Sequence, residues 1–109
     1  MADSALIAIT ITAEDSDWLA GFCAGLVSDR LAACANITPE VFSVYRWDGE
    51  VEHATEALAV LHTRAELFDA VAARVDTGHP YDTPQLLAVP IVLVSPGYAQ
   101  WVLDATQTA

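Results

Sequence analysis

One stretch, from Val41 to Thr63, constrains the fold of this chain more than any other. It reads VFSVYRWDGEVEHATEALAVLHT, and Asp48-Gly49 at its centre is the strongest short-range signal for a β-hairpin. Both central residues of a type I′ turn need positive φ, which Gly adopts freely and Asp tolerates better than most residues. The arms are rich in the β-branched and aromatic residues that suit strands. We therefore predict a long hairpin in which Trp47 faces Glu50.

The two ends of this hairpin differ in character. Near the turn, Tyr45 and Trp47 share a face with Glu50 and Glu52, so that face is not cleanly apolar. At the base, residues 57–61 (ALAVL) are apolar on both faces, as in a strand covered on both sides. A lone two-stranded ribbon is marginal in water, and exposed aromatic residues usually mark a contact surface. The pattern predicts a base buried in a sheet and a tip that contacts another copy of the chain.

Length and charge narrow the class of protein. The 109 residues suit one domain, 1–109, with a core that needs no disulfides. The chain has 15 acidic residues against four Arg and no Lys, a net charge of −11. Nucleic acids and anionic membranes attract Lys and Arg, so we expect neither as a partner. No apolar run reaches the ~18–20 residues that cross a bilayer and no signal peptide is evident, so we expect a cytoplasmic protein.

The order of the predicted elements indicates the fold class. Apolar periodicity and Gly/Pro breaks predict a strand over Ala5–Ile11, a helix capped by Thr12 that runs to about Leu31, and a strand from about Ala33 to a break at Pro39. The hairpin follows. After it, the same signals predict a helix capped by Thr63 and ended by Gly78, a strand over Leu86–Val94 and a final helix from Ser95. Pro90 predicts an edge position for the last strand. The order β-α-β-β-α-β plus a helix matches an α+β, ferredoxin-like sandwich with helices on one face of an antiparallel sheet. The uncovered face again predicts another subunit.

The candidate ligands are cysteine and histidine side chains. No nucleophile–base set, P-loop or dinucleotide-binding glycine motif is present, so we predict no enzymatic activity and no organic cofactor. Cys23 lies on the apolar stripe of the first helix and is expected in the core. Cys34 is either core filler or a metal or redox ligand, and His79, after a helix stop, is either a ligand or a cap. His53 is expected at the surface, and His62 to hydrogen-bond locally. A thiolate with an imidazole suits copper or zinc, and the spacing leaves open whether Cys34 and His79 meet.

Five segments of the chain together resemble the CutA family, also called CutA1 or divalent-cation tolerance proteins. They span nearly the whole sequence: SDRLAACANI (28–37), SVYRWDGEVE (43–52), HTRAELFDAV (62–71), HPYDTPQLLAVPI (79–91) and YAQWV (98–102). The resemblance implies a homotrimer of ferredoxin-like subunits, similar in architecture to PII signalling proteins, that meet through the 41–63 hairpins and sheet edges. It also implies tolerance of copper and other divalent metal ions.

The same resemblance implies site residues. The implied ligands of Cu(II) or another divalent metal ion are Cys34, His79, Asp82 and Gln85. The implied residues of the inter-subunit cleft are Tyr45, Trp47, Tyr81 and His62. Gln85 stands where the family often has Glu, Asp82 is one carbon shorter than the Glu frequent at its position, and His62 replaces a usual Lys. A metal-binding protein is thus the first functional hypothesis, and a PII-like regulator that binds a metabolite or a partner protein in the clefts is the alternative.

Overall fold

A computed structural model describes residues 5–108 as an α+β sandwich. Its elements are β1 (Leu6–Ala13), α1 (Ser16–Ser28), β2 (Cys34–Trp47), β3 (Glu50–Arg64), a 3₁₀ turn (Ala65–Leu67), α2 (Phe68–Gly78), β4 (Leu86–Pro90) and α3 (Pro96–Ala105). Within residues 5–108 the strands form one antiparallel sheet in the order β2-β3-β1-β4. This is the ferredoxin-like order, so the predicted fold class is confirmed. No helix in this range has the length and hydropathy to cross a membrane.

The main core lies between the sheet and helices α1 and α2. Strand side chains alternate between faces, and every second residue of β1 and β3 points to these helices. The buried residues are Ile7, Ile9, Ile11, Ala57, Ala59 and Leu61 from the strands and Leu19, Cys23, Leu26, Val71 and Val75 from the helices. Cys23 is therefore a core residue, as predicted. Its burial raises the pKa of the thiol to about 11.

The hairpin forms in the predicted register. Trp47 pairs with Glu50, and Asp48 and Gly49 have φ values of +51° and +82°, both positive as a type I′ turn requires. The break predicted at Pro39 is wrong, because β2 is continuous there. The pairing with β3 shifts between Thr38 and Val41 instead, in a bulge that accommodates the missing N–H of Pro39.

The first helix begins later and ends earlier than predicted. β1 continues through Thr12, which pairs with β3, and Asp15 caps α1 in its place by accepting a hydrogen bond from the backbone N–H of Asp17 at 2.9 Å. At the other end, Arg30 adopts φ +62° and the N–H of Leu31 donates to Leu26 O at 2.9 Å. A left-handed residue followed by this bond is a Schellman motif, which usually requires Gly and so was not evident from the sequence.

The predicted cap of the second helix is also wrong. Thr63 belongs to β3, pairs with Ile7 and is fully buried. Its hydroxyl donates to the carbonyl O of Leu31 at 2.7 Å and thereby ties the end of the α1–β2 connection to the sheet. A 3₁₀ turn without a side-chain cap leads into α2 instead. The sheet register, which places Thr63 on the core side, overrides the local capping pattern.

The last strand is shorter than predicted and ends at Pro90 rather than Val94. Among the described residues, β4 pairs with β1 alone, which confirms the edge position that Pro90 predicted. The N–H of Ile91 still donates to Leu6 O at 2.9 Å, and the chain then leaves the sheet. The following Val92 and Leu93 are almost fully exposed.

Helix α3 folds back over the outer face of the sheet, the face away from α1 and α2 that carries Cys34, His62 and Val89. Val102 of α3 packs with Leu6 and Ala33 in a second buried cluster. The prediction of helices on one face is therefore wrong at this end of the sheet. No helix within residues 5–108 covers the rest of the outer face, and Val89 is half exposed there.

Candidate functional site

The site residues predicted from the sequence lie at two separate places in the fold. Cys34 lies beside His62, under α3. His79 begins a loop, residues 79–85, and bonds to the carbonyl of Thr12, which pairs with Leu58 on β3. Leu58 is four residues from His62, and strands rise ~3.4 Å per residue, so the two places are about 14 Å apart along β3. Within the chain, the structure does not bring Cys34 and His79 together.

Both ring nitrogens of His79 have partners within the chain. Nε2 donates to the carbonyl O of Thr12 at 2.8 Å, and Nδ1 accepts from the backbone N–H of Tyr81 at 3.0 Å. The ring also packs against Trp18 and Tyr81, with centroid distances of 5.0 and 4.8 Å. A neutral imidazole has one donor and one acceptor, and both are used. In this arrangement His79 fastens the loop to the end of β1, and a metal ion would have to displace one of the two bonds.

A groove of about 640 Å³ lies between the hairpin and the 79–85 loop. Its lining includes the predicted residues Tyr45, Trp47, Tyr81, Asp82 and Gln85, together with Thr12, Ser43 and Glu56. Of the predicted cleft residues, the three aromatic ones therefore share one surface, and His62 lies elsewhere. The predicted ligands Asp82 and Gln85 are exposed at its edge.

Glu56 is a groove residue that the sequence reasoning missed. The Tyr81 hydroxyl donates to its carboxylate at 2.9 Å, a bond that links the loop to β3. Burial and this bond raise the pKa of Tyr81, so the phenol stays a neutral donor at physiological pH. The hairpin register would have identified Glu56, because it places this residue on the same face as Tyr45 and Trp47. Glu56 and Asp82 give the groove acidic side chains, in line with the net charge of −11.

The second place holds three polar side chains, Cys34, His62 and Tyr98, which we call the thiol cluster. The Tyr98 hydroxyl lies 3.1 Å from Cys34 Sγ and 2.8 Å from His62 Nδ1, and Sγ and Nδ1 are 3.5 Å apart. All three side chains are half-buried. Burial, with the hydrogen bond to Cys34, raises the pKa of Tyr98 to about 12. The expectation that His62 hydrogen-bonds locally is wrong, because its partners Cys34 and Tyr98 come from β2 and α3, 28 and 36 residues away.

Sequence reasoning placed Tyr98 on the apolar face of the last helix and missed its polar contacts. No sequence pattern indicated that α3 crosses the outer face of the sheet. Within residues 5–108, no three His, Cys, Asp or Glu side chains gather closely enough to hold a metal ion. The thiol cluster is thus a cysteine and a histidine completed by a phenol rather than a set of three conventional ligands.

Comparison with known proteins gives consistent matches over most of the chain. The family described as "CutA1 divalent ion tolerance protein" matches residues 7–105. The "Divalent-cation tolerance protein CutA" of Thermus thermophilus is 36% identical over 98 residues, 90% of this chain and 95% of that protein. The "Protein CutA 1, chloroplastic" of Oryza sativa is 34% identical over 101 residues, 93% of this chain and 57% of that protein. The chain spans about half the length of several such relatives from plants and animals.

Solved structures give the same match in three dimensions. The crystal structure of CutA1 from Oryza sativa superposes with a TM-score of 0.93 at 32% identity, and covers 97% of both chains. The divalent cation tolerance protein from Thermus thermophilus superposes with a TM-score of 0.90 at 34% identity, over 94% of this chain and 99% of that one.

Proposed function

This chain belongs to the CutA1 divalent ion tolerance protein family, and we propose that it acts as a homotrimeric divalent-cation tolerance protein that binds a divalent metal ion. The observation that carries the proposal is the family match over residues 7–105, which includes every candidate site residue. The names of the family and of its relatives give no enzymatic activity, and we propose a non-enzymatic role. We also propose a cytoplasmic location, and the two free thiols of Cys23 and Cys34 are compatible with a reducing compartment.

Exposed apolar side chains support the proposed trimer. They cluster on the hairpin (Phe42, Val44, Tyr45, Trp47 and Val51) and along β4 and the segment after it (Leu87, Val89, Val92 and Leu93). A monomeric protein rarely exposes contiguous apolar patches of this kind, and a cyclic oligomer would bury them. Hairpins that reach across to a neighbouring subunit would cover both patches at once.

The oligomeric state is directly measurable. Light scattering on the eluting protein should give about 35 kDa, three times the 11.6 kDa of the chain. The measured mass should stay constant over a wide range of protein concentrations, because dissociation would expose the apolar side chains to water. A monomer at micromolar concentration would contradict this half of the proposal.

The metal-binding half of the proposal has Cys34, His79, Asp82 and Gln85 as its candidate ligands. In one subunit these ligands lie apart: Cys34 lies under α3, Asp82 and Gln85 line the groove, and His79 begins the loop that borders it. Asp82 offers a carboxylate and Gln85 an amide oxygen at an exposed edge, whereas His79 must first release a hydrogen bond. Oxygen ligands at the groove suit harder divalent ions, and the thiol of Cys34 suits copper or zinc.

Calorimetric titration with Cu(II) and Mn(II) tests this assignment. We expect His79→Ala to weaken binding at the groove, and His53→Ala, which changes an exposed histidine at the hairpin tip, to leave it unchanged. Unchanged affinity in both variants would remove His79 from the ligands. Failure of the unaltered protein to bind any divalent ion would contradict metal binding altogether.

A PII-like regulator is the second candidate, and the groove is the observation that favours it. Its volume of about 640 Å³ lies within the ~300–1,000 Å³ of small-molecule sites. Aromatic faces beside carboxylates attract organic cations, so a metabolite with an ammonium or guanidinium group fits this surface. Choline and arginine are suitable probes: a rise in Tm with either one that disappears in Glu56→Gln would support this function. If neither probe raises the Tm, the regulator function is contradicted and the metal-binding proposal is the one that stands.

A further inference from the structure

We propose that Cys34 and His62 are the protein ligands of a four-coordinate site for a borderline divalent ion of the Zn(II) type, with Tyr98 as a positioning residue. The inference rests on the proposed metal binding and assigns it a ligand pair that neither the family match nor the groove provides. The remaining two coordination positions would be taken by water or by a small anion. The site is distinct from the groove, which lies at the other end of the same face.

Two neighbouring strands hold the proposed ligands. Cys34 and His62 are directly paired across β2 and β3, so both side chains leave the outer face at the same level. Residues on a paired sheet are positioned more rigidly than residues on loops, and this reduces the ordering cost of forming a site. Metal binding here needs a change of hydrogen bonds but no movement of the backbone.

The separation of the two ligand atoms fits a tetrahedral ion. With bonds of ~2.3 Å to sulfur and ~2.0–2.1 Å to nitrogen, a tetrahedral angle places the two ligand atoms about 3.5 Å apart. Cys34 Sγ and His62 Nδ1 are 3.5 Å apart. A linear two-coordinate ion would need them more than 4 Å apart by the same bond lengths, so the geometry favours Zn(II) over a two-coordinate soft ion.

The surroundings of the pair are compatible with a bound cation. The Tyr98 hydroxyl, 3.1 Å from Sγ, would keep its contact to the sulfur and give up its bond to Nδ1 when the ion binds. Such contacts to a ligand atom orient it and typically account for 10–100-fold in affinity. The adjacent cluster of Leu6, Ala33 and Val102 shields one side from water.

The side chain at position 62 decides whether this site can form. A Lys ammonium has no lone pair for a metal and would repel a cation next to Cys34. His62 supplies an imidazole nitrogen instead, and a thiolate with an imidazole is a ligand pair that zinc and copper prefer.

Titration of the reduced, full-length protein with Co(II), a spectroscopic substitute for Zn(II), tests the site. We expect one Co(II) per chain, with a thiolate-to-metal charge-transfer band and the intense visible bands of four-coordinate cobalt, and displacement by Zn(II). Cys34→Ser and His62→Lys should each remove the charge-transfer band. Each should also weaken Co(II) binding by at least about 100-fold, which exceeds the effect of losing a residue that only hydrogen-bonds a metal ligand. Tyr98→Phe should keep the band and weaken binding by about 10-fold.

Cys23→Ala is the matched control, since Cys23 is the other of the two cysteines and lies in the core. It should retain the full cobalt spectrum, and thermal melts of the metal-free variants check that each is folded. Equal Co(II) binding by the unaltered protein and Cys34→Ser would overturn this site and leave metal binding elsewhere intact. No binding of Co(II), Zn(II) or Cu(II) to the unaltered protein would overturn both this site and the metal half of the proposed function.

Discussion

Replacement of Trp47 by Asp is expected to convert the proposed trimer into monomers of 11.6 kDa. Trp47 lies beside the turn at the tip of the hairpin and is 57% exposed in the isolated chain. Trp is enriched among interface residues whose loss costs at least about 2 kcal/mol, and an unpaired carboxylate in a buried contact adds several kcal/mol more. The dissociation constant of the trimer should therefore rise by more than about 100-fold. Light scattering over a dilution series measures this directly.

Trp47→Phe is the control for this substitution, because it keeps an aromatic ring at the tip without a charge. We expect Trp47→Phe to remain trimeric with a slightly lower Tm. The isolated subunit of Trp47→Asp should keep its secondary structure, since Trp47 contributes nothing to either buried cluster. A Trp47→Asp protein with an unchanged mass and Tm would show that the tip lies in solvent and that the subunits meet elsewhere.

The hairpin could be predicted from the sequence because its determinants are local. Asp48 and Gly49 adopt the positive φ values that the turn needs, and the turn then sets which residues face one another. The residues of the groove could be predicted from the sequence only in part. The register places Glu56 on the face of Tyr45, but the bond from Tyr81 depends on where the 79–85 loop returns to the sheet.

The thiol cluster could not be predicted, and the bulge in β2 is the reason. Near the turn, paired residue numbers add up to 97, as for Trp47 and Glu50, and this register would place Cys34 opposite Thr63. The bulge between Thr38 and Val41 shifts the register by one, so Cys34 faces His62 instead. A one-residue shift moves a side chain to the other face of a sheet, which decides whether Cys34 meets a core threonine or an imidazole.

The return of α3 across the sheet depends on long-range contacts that no local pattern contains. The chain has four Arg and no Lys, and two of these Arg reach the carboxyl end of α3. Arg64 of β3 donates from Nη2 to Leu103 O at 2.6 Å and from Nε to the Thr106 hydroxyl at 2.9 Å. Arg30 donates to the carbonyls of Asp104 and Ala105. The last turn of α3 contains no basic residue of its own, so these guanidinium groups compensate the negative end of its dipole.

Arg64→Met is therefore expected to destabilise the protein by about 3 kcal/mol, because hydrogen bonds from a charged donor contribute ~1.5–3 kcal/mol each. Met keeps an unbranched apolar stem at this position and removes the charge and the donors. The buried Thr106 hydroxyl also loses a donor. Urea unfolding at a fixed protomer concentration measures the loss, since the stability of an oligomer depends on concentration. Hydrogen exchange should show faster exchange in α3, at Val102 above all, than in the main core.

Arg30→Met is the matched control, because Arg30 binds the same helix end from an exposed position. Solvent competes for its hydrogen bonds, so we expect a loss of about 1 kcal/mol or less. Arg64 is partly buried and receives no such compensation from water when its bonds break. Equal losses in the two variants would show that burial does not distinguish them. Fast exchange of α3 amides in Arg64→Met, with the core still protected, would show that α3 detaches as a unit and opens the face that carries the thiol cluster.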